Sequence, residues 1–207
     1  GLRVGVGPRG PQADAVAWLL PAPGWAASGV GTVVVGEGVQ AADALRAGRV
    51  QALCQGDPLM TQLEQQSVVR IVADARTLSG SQALFGGIVP GGCLVAPMAF
   101  LQRREAQAQA LTDAVVHALK WLQTAGPSDL VKALPTNSWG QARSVYLAAF
   151  ARARETLSPD GLMPNNGPET AWRALLLADP QRGTSRVDAQ SSFTTEFAQK
   201  TKLKFSA

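Results

Sequence analysis

The amino-acid sequence predicts an α/β protein, a mainly parallel sheet flanked by helices. Three observations predict it. Strand-length apolar runs alternate with helix-like runs through the first half of the chain. Glycine, proline and aspartate stand at the junctions between them. After a glycine-rich stretch the pattern changes to almost continuous helical periodicity.

Leu2 to Val6 reads as a buried strand, and Gly7-Pro8-Arg9-Gly10-Pro11 turns the chain. Pro11 suits the first residue of a helix, where its missing N–H has no partner anyway. That helix is expected to reach Leu20 and to end in Pro21-Ala22-Pro23-Gly24. Thr32 to Val35 follows as a second strand, and Val39 to Ala47 as an amphipathic helix closed by Gly48. Val50 to Cys54 is the third strand; Asp57 caps the next helix, with Pro58 in its first turn. Val68 to Ala73 is expected to be a fourth strand. Past Phe85-Gly86-Gly87-Ile88-Val89-Pro90-Gly91-Gly92, Cys93 to Ala96 reads as a fifth. A long helix is then expected over Met98 to Thr124, with Leu111, Val115, Ala118, Leu119 and Leu122 as its apolar stripe. Further helices are expected over Pro127 to Leu134, Ser138 to Thr156, Pro168 to Leu177 and Phe193 to Lys200. The glycine stretch divides the chain into residues 1–90 and 91–207, and its glycines suit a hinge as well as ordinary turns. No internal repeat is visible.

The bulk properties exclude several classes. The 207 residues suffice for one large domain or two small lobes. The composition, 46% hydrophobic and 16% charged, is that of a globular protein. No apolar run approaches the roughly 18 residues that cross a bilayer. No cleavable signal is visible, because Gly1 leads straight into a strand; a mature, a truncated or a cytosolic chain would begin alike. The net charge of +4 is modest. The only basic cluster, Lys200-Thr201-Lys202-Leu203-Lys204, reads as a solvated terminus, so no nucleic-acid partner is expected. Cys54 and Cys93 fit no zinc or CxxC spacing; two buried thiols are expected, and spacing leaves their disulfide state open. His117, the one histidine, lies in a predicted helix and reads as structural or surface. Trp18, Trp121 and Trp172 read as core, whereas Trp25 and Trp139 also suit a cleft wall. Neither HxxxH nor GxSxG nor a Walker loop occurs, and no cofactor or metal is expected.

One motif argues otherwise. Gly5-Val6-Gly7-Pro8-Arg9-Gly10 fits GxGxxG between a strand and a helix, and Glu37 ends the next strand where a ribose-binding acid would belong. The alternative it raises is a nucleotide-dependent oxidoreductase. Against it, Pro8 and Pro11 remove backbone donors from the turn that would cradle a pyrophosphate. The strands also do not continue as a long doubly wound sheet.

Taken as consecutive blocks, nearly the whole chain resembles the nitrate/sulfonate/bicarbonate (NMT1-like) family of ABC-transporter substrate-binding proteins. LRVGV, VVVGEGVQAADALRAGRVQAL, DPLMTQLE and VADARTLSGSQALFGG resemble successive parts of that family's second lobe. HALKWLQTAGPSDLVKALP, SPDGLMPNNGPET and SSFTTEF resemble its carboxyl-terminal helices in the right order. The resemblance implies a type II periplasmic-binding-protein fold of two hinged lobes. Residues 1–90 would be the second lobe and residues 91–207 the returning, mostly helical part of the first. The amino-terminal half-lobe would be lacking. It also implies capture of a small solute in an interlobe cleft, an ABC permease as partner, a monomer and a periplasmic or other extracytoplasmic location. It implies no catalysis.

Candidate ligand contacts lie on the turns after successive strands. Arg9, Gly10 and Gln12 precede a helix, whose free N–H groups and dipole favour an anion or a carbonyl oxygen. Arg9 adds a guanidinium fork, although an exposed arginine on a turn explains it equally. Where the family usually has hydroxyls, this chain has Gly10-Pro11-Gln12-Ala13, which argues against the usual small oxyanions. Gly36 and Glu37 form the second turn; Glu37 suits either an N–H-bearing ligand or a helix first turn. Asp57 and Pro58 form the third, and helix capping and ligand contact are compatible there. Gly86 and Gly87 complete the set. The mixed charge suits an anion, a zwitterion or a polar heterocycle. Two further readings are a sensor of the same fold without transport, and a pyrimidine-precursor synthase, which would consume a histidine and use a cysteine cluster that this chain lacks.

Overall fold

A computed structural model describes residues 1–8, 30–139, 142–178 and 188–205. The predicted helix over Pro11 to Leu20 lies outside them, as do Arg9, Gly10, Gln12, Trp18 and Trp25. The chain is α/β, with a small parallel sheet and many helices. It divides into two compact units, Gly1–Ala73 with Ser144–Ala149 and Trp172–Arg186, and Asp74–Arg143 with Phe150–Ala171 and Val187–Ala207.

The first unit holds the sheet. β1 (Arg3–Val6) is central, between β2 (Gly31–Val34) and β3 (Ala52–Cys54), and both pairings are parallel. Val6 stands opposite Val34 on one side and Cys54 on the other, so the three strands end at one edge. Val4 and Val6 are buried and pack with Val30, Ala52 and Cys54. Gly5 has a steric cause. A Cβ there would lie 2.8 Å from Leu53 Cδ2 and 2.9 Å from Val35 Cγ2. The first glycine of the GxGxxG pattern therefore serves packing between neighbouring strands.

α1 (Val39–Arg46) buries Ala41, Ala42 and Ala44 and packs on β1 and β3. Small side chains let the helix approach closely. Gly48, at φ +68°, supplies the left-handed residue that ends it. α2 (Leu59–Gln65) buries Leu63, worth about 1.5–3 kcal/mol relative to exposure.

Val68 to Ala73 is not a strand. The Val68 N–H donates to Leu63 O at 3.0 Å, ending α2 through Ser67 at φ +56°. Helix termination thus takes the first ladder donor, and Val72 is 69% exposed.

In the second unit every described regular element is helical: α3 (Leu78–Phe85), α4 (Met98–Arg103), α5 (Glu105–Thr124), α6 (Pro127–Ala133) and α9 (Glu196–Lys204), with 3-10 turns at Thr136–Trp139, Arg154–Thr156 and Ala189–Ser192. α7 (Arg143–Ala153) and α8 (Gly167–Ala178) each contribute residues to both units. The sequence reading missed α3. Its Thr77 Oγ1 accepts from the Gly80 N–H at 3.0 Å, and Gly86 closes it at φ +69°. Asp74 accepts two bonds from the Arg76 guanidinium, both 2.8 Å, which hold its carboxyl below the usual range.

The expected helix over Met98 to Thr124 is two helices. Arg104, at φ −134° and ψ 40°, caps the end of one and the start of the next. Its N–H donates to Phe100 O at 2.8 Å, and its carbonyl accepts from Gln107 and Ala108 at 3.0 Å. Of the expected apolar stripe on α5, Leu119 and Leu122 are half-buried, whereas Leu111, Val115 and Ala118 are exposed. Leu111 is 53% exposed and Val115 39%, while Gln109, Asp113, Val116 and Lys120 face α9 or its end. Gln109 donates to Thr201 Oγ1 at 2.9 Å, and Thr201 to Asp113 at 2.6 Å. On that face a part-buried hydrogen-bonded seam meets α9.

The carboxyl-terminal lysines are solvent-exposed, as expected. They ride α9, where Lys200 pairs with Glu105 and Glu196, Lys202 with Asp160 and Lys204 with Asp113. Cys93 to Ala96 is not a strand, and Cys93 is exposed, not buried. Cys54 is half-buried, and neither cysteine forms a disulfide. Trp139 is buried under the Arg143 guanidinium, 5.8 Å from its ring, whereas Trp121 is partly exposed. His117 is exposed and stacks on Phe205 at 5.7 Å.

Candidate functional site

With β1 central, the chain leaves it first to one side and then to the other. A switch of this kind opens a crevice beyond the strands' carboxyl ends. β2 and β3 each turn there into the helix that follows, so those two turns present polar side chains and free helix-start N–H groups at one edge.

A groove of about 360 Å³ occupies that edge within the first unit. The turn after β2 contributes Glu37 and Gly38, and the turn after β3 contributes Gln55, Gly56, Asp57 and Pro58. The sequence-predicted Glu37, Asp57 and Pro58 therefore share one concavity. Gly36 adjoins it: the Gln55 Nε2 donates to Gly36 O at 3.1 Å, binding the two turns together across the end of β1. A Cβ on Gly36, at φ +81°, would run into the Gln40 side chain, so this turn requires glycine.

Asp57 also caps α2. Its Oδ1 accepts from the Thr61 N–H at 2.9 Å and from the Thr61 hydroxyl at 2.7 Å. A carboxylate accepts at both of its oxygens, so capping and ligand contact are compatible at this residue. Glu37 is exposed. Arg46 is the groove's cation, its guanidinium 3.3 Å from Gln66 Oε1 and 3.5 Å from Asp43 Oδ1.

The sequence reading missed Arg46, Gln55 and Gln62. Helical spacing carried the signal for two of them. Val39, Ala42 and Arg46 recur along one face of α1, and Leu59, Gln62 and Leu63 along one face of α2. Gly86 and Gly87 belong to the second unit. Gly86 is the left-handed cap of α3, and a Cβ on Gly87 would lie 2.6 Å from Thr170 Oγ1. Arg9, Gly10 and Gln12 lie outside the described residues. Among the described residues no group of three or more His, Cys, Asp or Glu side chains gathers as a metal site. None of their helices is long and apolar enough to cross a membrane.

The model of the NMT1-like family matches residues 2–134, more than half of the chain. The chain belongs to the NMT1-like family. Membership points to solute binding and to transport-related work. A solved structure of a protein from Bordetella bronchiseptica RB50 is similar over 100% of this chain, at 37% identity and a TM-score of 0.85. This chain spans 65% of that one. Comparison with curated proteins gave no match.

Proposed function

We propose that this NMT1-like protein is the solute-binding component of an ABC importer, and that its ligand lies in the groove at Glu37, Gln55, Asp57 and Gln62. The observation that carries the reading is the convergence of two strand-to-helix turns on one concavity, in a chain whose family points to solute binding. Two carboxylates, two carboxamides and one guanidinium line it, with the apolar walls of Val39, Leu59 and Leu63 between them. Such a lining suits a small polar solute with N–H donors, a zwitterion or a polar heterocycle. Arg9, on the turn before the helix that the sequence predicts over Pro11 to Leu20, would receive its anionic group.

In this reading residues 1–90 and 91–207 belong to two hinged lobes, and closure on ligand is what the permease recognises. The protein works outside the cytoplasm, as a monomer, and makes or breaks no bond. Transport genes beside its own would favour this role over a sensor of the same fold.

Thermal-shift screening of the chain against sulfonates, nitrate, pyrimidines and amino acids tests the proposal. Binding to the folded state alone raises stability by RT ln(1 + [L]/Kd), about 2.7 kcal/mol at 100-fold excess over Kd. Saturable stabilisation that Glu37→Gln and Gln62→Ala abolish supports it. Stabilisation unchanged in Arg9→Ala removes the anion subsite.

A further inference from the structure

The groove of the first unit differs chemically between its two ends. α1 and α2 both start at the sheet edge, and their last turns meet where the Arg46 guanidinium donates to Gln66, the residue that ends α2. A residue's place in either helix therefore gives its depth in the groove. Glu37 and Asp57 stand at the mouth, just before the two helices. Val39 and Leu59 follow in the first turns, and Ala42 and Leu63 lie a turn further in. Arg46, the last residue of α1, closes the far end. Between the ends the lining carries no charge. At the mouth, two helix starts bring roughly half a positive charge each and two carboxylates a whole negative charge each, so the mouth is negative. The Arg46 guanidinium is held loosely from outside the groove. Asp43 Oδ1 lies 3.5 Å away, and the two side chains are 49% and 60% exposed, a setting in which an ion pair contributes little.

We infer that the groove selects an elongated zwitterion, with an ammonium group at Glu37 and Asp57, an anionic group at Arg46 and an aliphatic spacer between them. An ammonium group brings three donors to the carboxylates, and a guanidinium fork matches a carboxylate or a sulfonate. The walls of Val39, Ala42, Leu59 and Leu63 suit methylenes. Length decides which zwitterion fits. α1 has eight residues, about 12 Å of helix. A helical side chain leans toward the start of its helix, so the guanidinium reaches back over part of that length. A spacer of several methylenes therefore joins the two ends, whereas a short amino acid meets one end only. The inference rests on the groove being the ligand site and narrows the ligand of that site; it does not depend on Arg9.

Isothermal titration of the 207-residue chain tests it. β-Alanine, γ-aminobutyrate and ε-aminocaproate form a series of lengthening spacer, and hexylamine and caproate each keep one charge of ε-aminocaproate. Affinity is expected to rise along the series, with ε-aminocaproate bound about tenfold or more tightly than hexylamine or caproate. Arg46→Gln is expected to remove the advantage over hexylamine without weakening hexylamine itself, and Arg46→Lys to keep most of it. Arg46 is half exposed, so neither substitution disturbs the core. Three results overturn the inference: no binding of the series, equal binding of β-alanine and ε-aminocaproate, or an ε-aminocaproate affinity that Arg46→Gln leaves unchanged. The groove as ligand site survives each of these where Glu37→Gln still weakens the solute found by thermal shift. Binding of that solute indifferent to Glu37→Gln and Arg46→Gln alike removes both.

Discussion

The Gln55 side-chain amide donates to the Gly36 carbonyl at 3.1 Å, tying the turn after β3 to the turn after β2. The two strands lie on opposite sides of β1, so this bond spans the mouth of the sheet. It fixes the spacing between Glu37 and Asp57. Gln55→Ala is expected to lower stability by about 1 kcal/mol, or about 2–4 °C in Tm for a chain of this size. Calorimetric melts of the two proteins check it; an unchanged Tm would mean that the turns hold themselves.

Asp57 serves the helix whatever it does for a ligand. Asp57→Ala removes the acceptor for the Thr61 N–H and hydroxyl, and a loss of about 0.5–2 kcal/mol is expected. Thr61→Val removes only the hydroxyl's share of the same arrangement. Urea unfolding of both variants separates capping from binding, since a ligand-only role for Asp57 predicts no loss in the absence of ligand.

Gly5 is where a nucleotide motif and a packing requirement compete. Gly5→Ala sets a methyl against Leu53 and Val35, and overpacking of that kind costs about 1–3 kcal/mol. Reduced stability by chemical denaturation, with no saturable NAD(P)H fluorescence change in the parent protein, is the expected pair of results.

The α5–α9 seam gives the protein an acid sensitivity of known sign. Hydrogen bonds from Lys204, then Thr201 and Gln109, hold the Asp113 carboxyl down to about 2. An unfolded-chain aspartate titrates near 3.9. The folded value is the lower one, so the group's stabilisation is complete above about pH 4 and is lost as pH falls from there to about 2. Melts of the protein and of Asp113→Asn across that window are expected to converge as the pH falls. A gap that stays constant would contradict the assignment.

The thiols differ in access. Cys93 is exposed, whereas burial pushes the Cys54 thiol up and leaves less thiolate. A thiol reagent at neutral pH is expected to modify Cys93 first, and peptide mapping identifies the site.

The sheet and its two cleft-edge turns were legible because local signals and tertiary structure agree there. Apolar runs end shortly before Gly36-Glu37 and Asp57-Pro58, and each junction carries the residue its turn needs. The misreadings have one physical form. Val68 to Ala73 and Cys93 to Ala96 have strand-like side chains, but a strand exists only when a neighbour supplies hydrogen bonds, which no local pattern reports. The stripe at Leu111 and Val115 failed likewise, because the α9 contact is chosen by the Gln109–Thr201–Asp113 seam. Arg104 interrupts its helix without glycine or proline, so nothing in the sequence marks the break. Arg46 and Gln62 on helix faces, and Gln55 on a turn, escaped notice because amide and guanidinium side chains read as ordinary solvated surface until the groove brings them together.

The most direct test of the account is isothermal titration of the strongest stabilising solute into the protein and into Glu37→Gln. A single saturable site that Glu37→Gln weakens about tenfold or more, a loss of at least about 1.4 kcal/mol, is the predicted result. Equal affinity in the two proteins would take the ligand out of the groove and contradict the central claim.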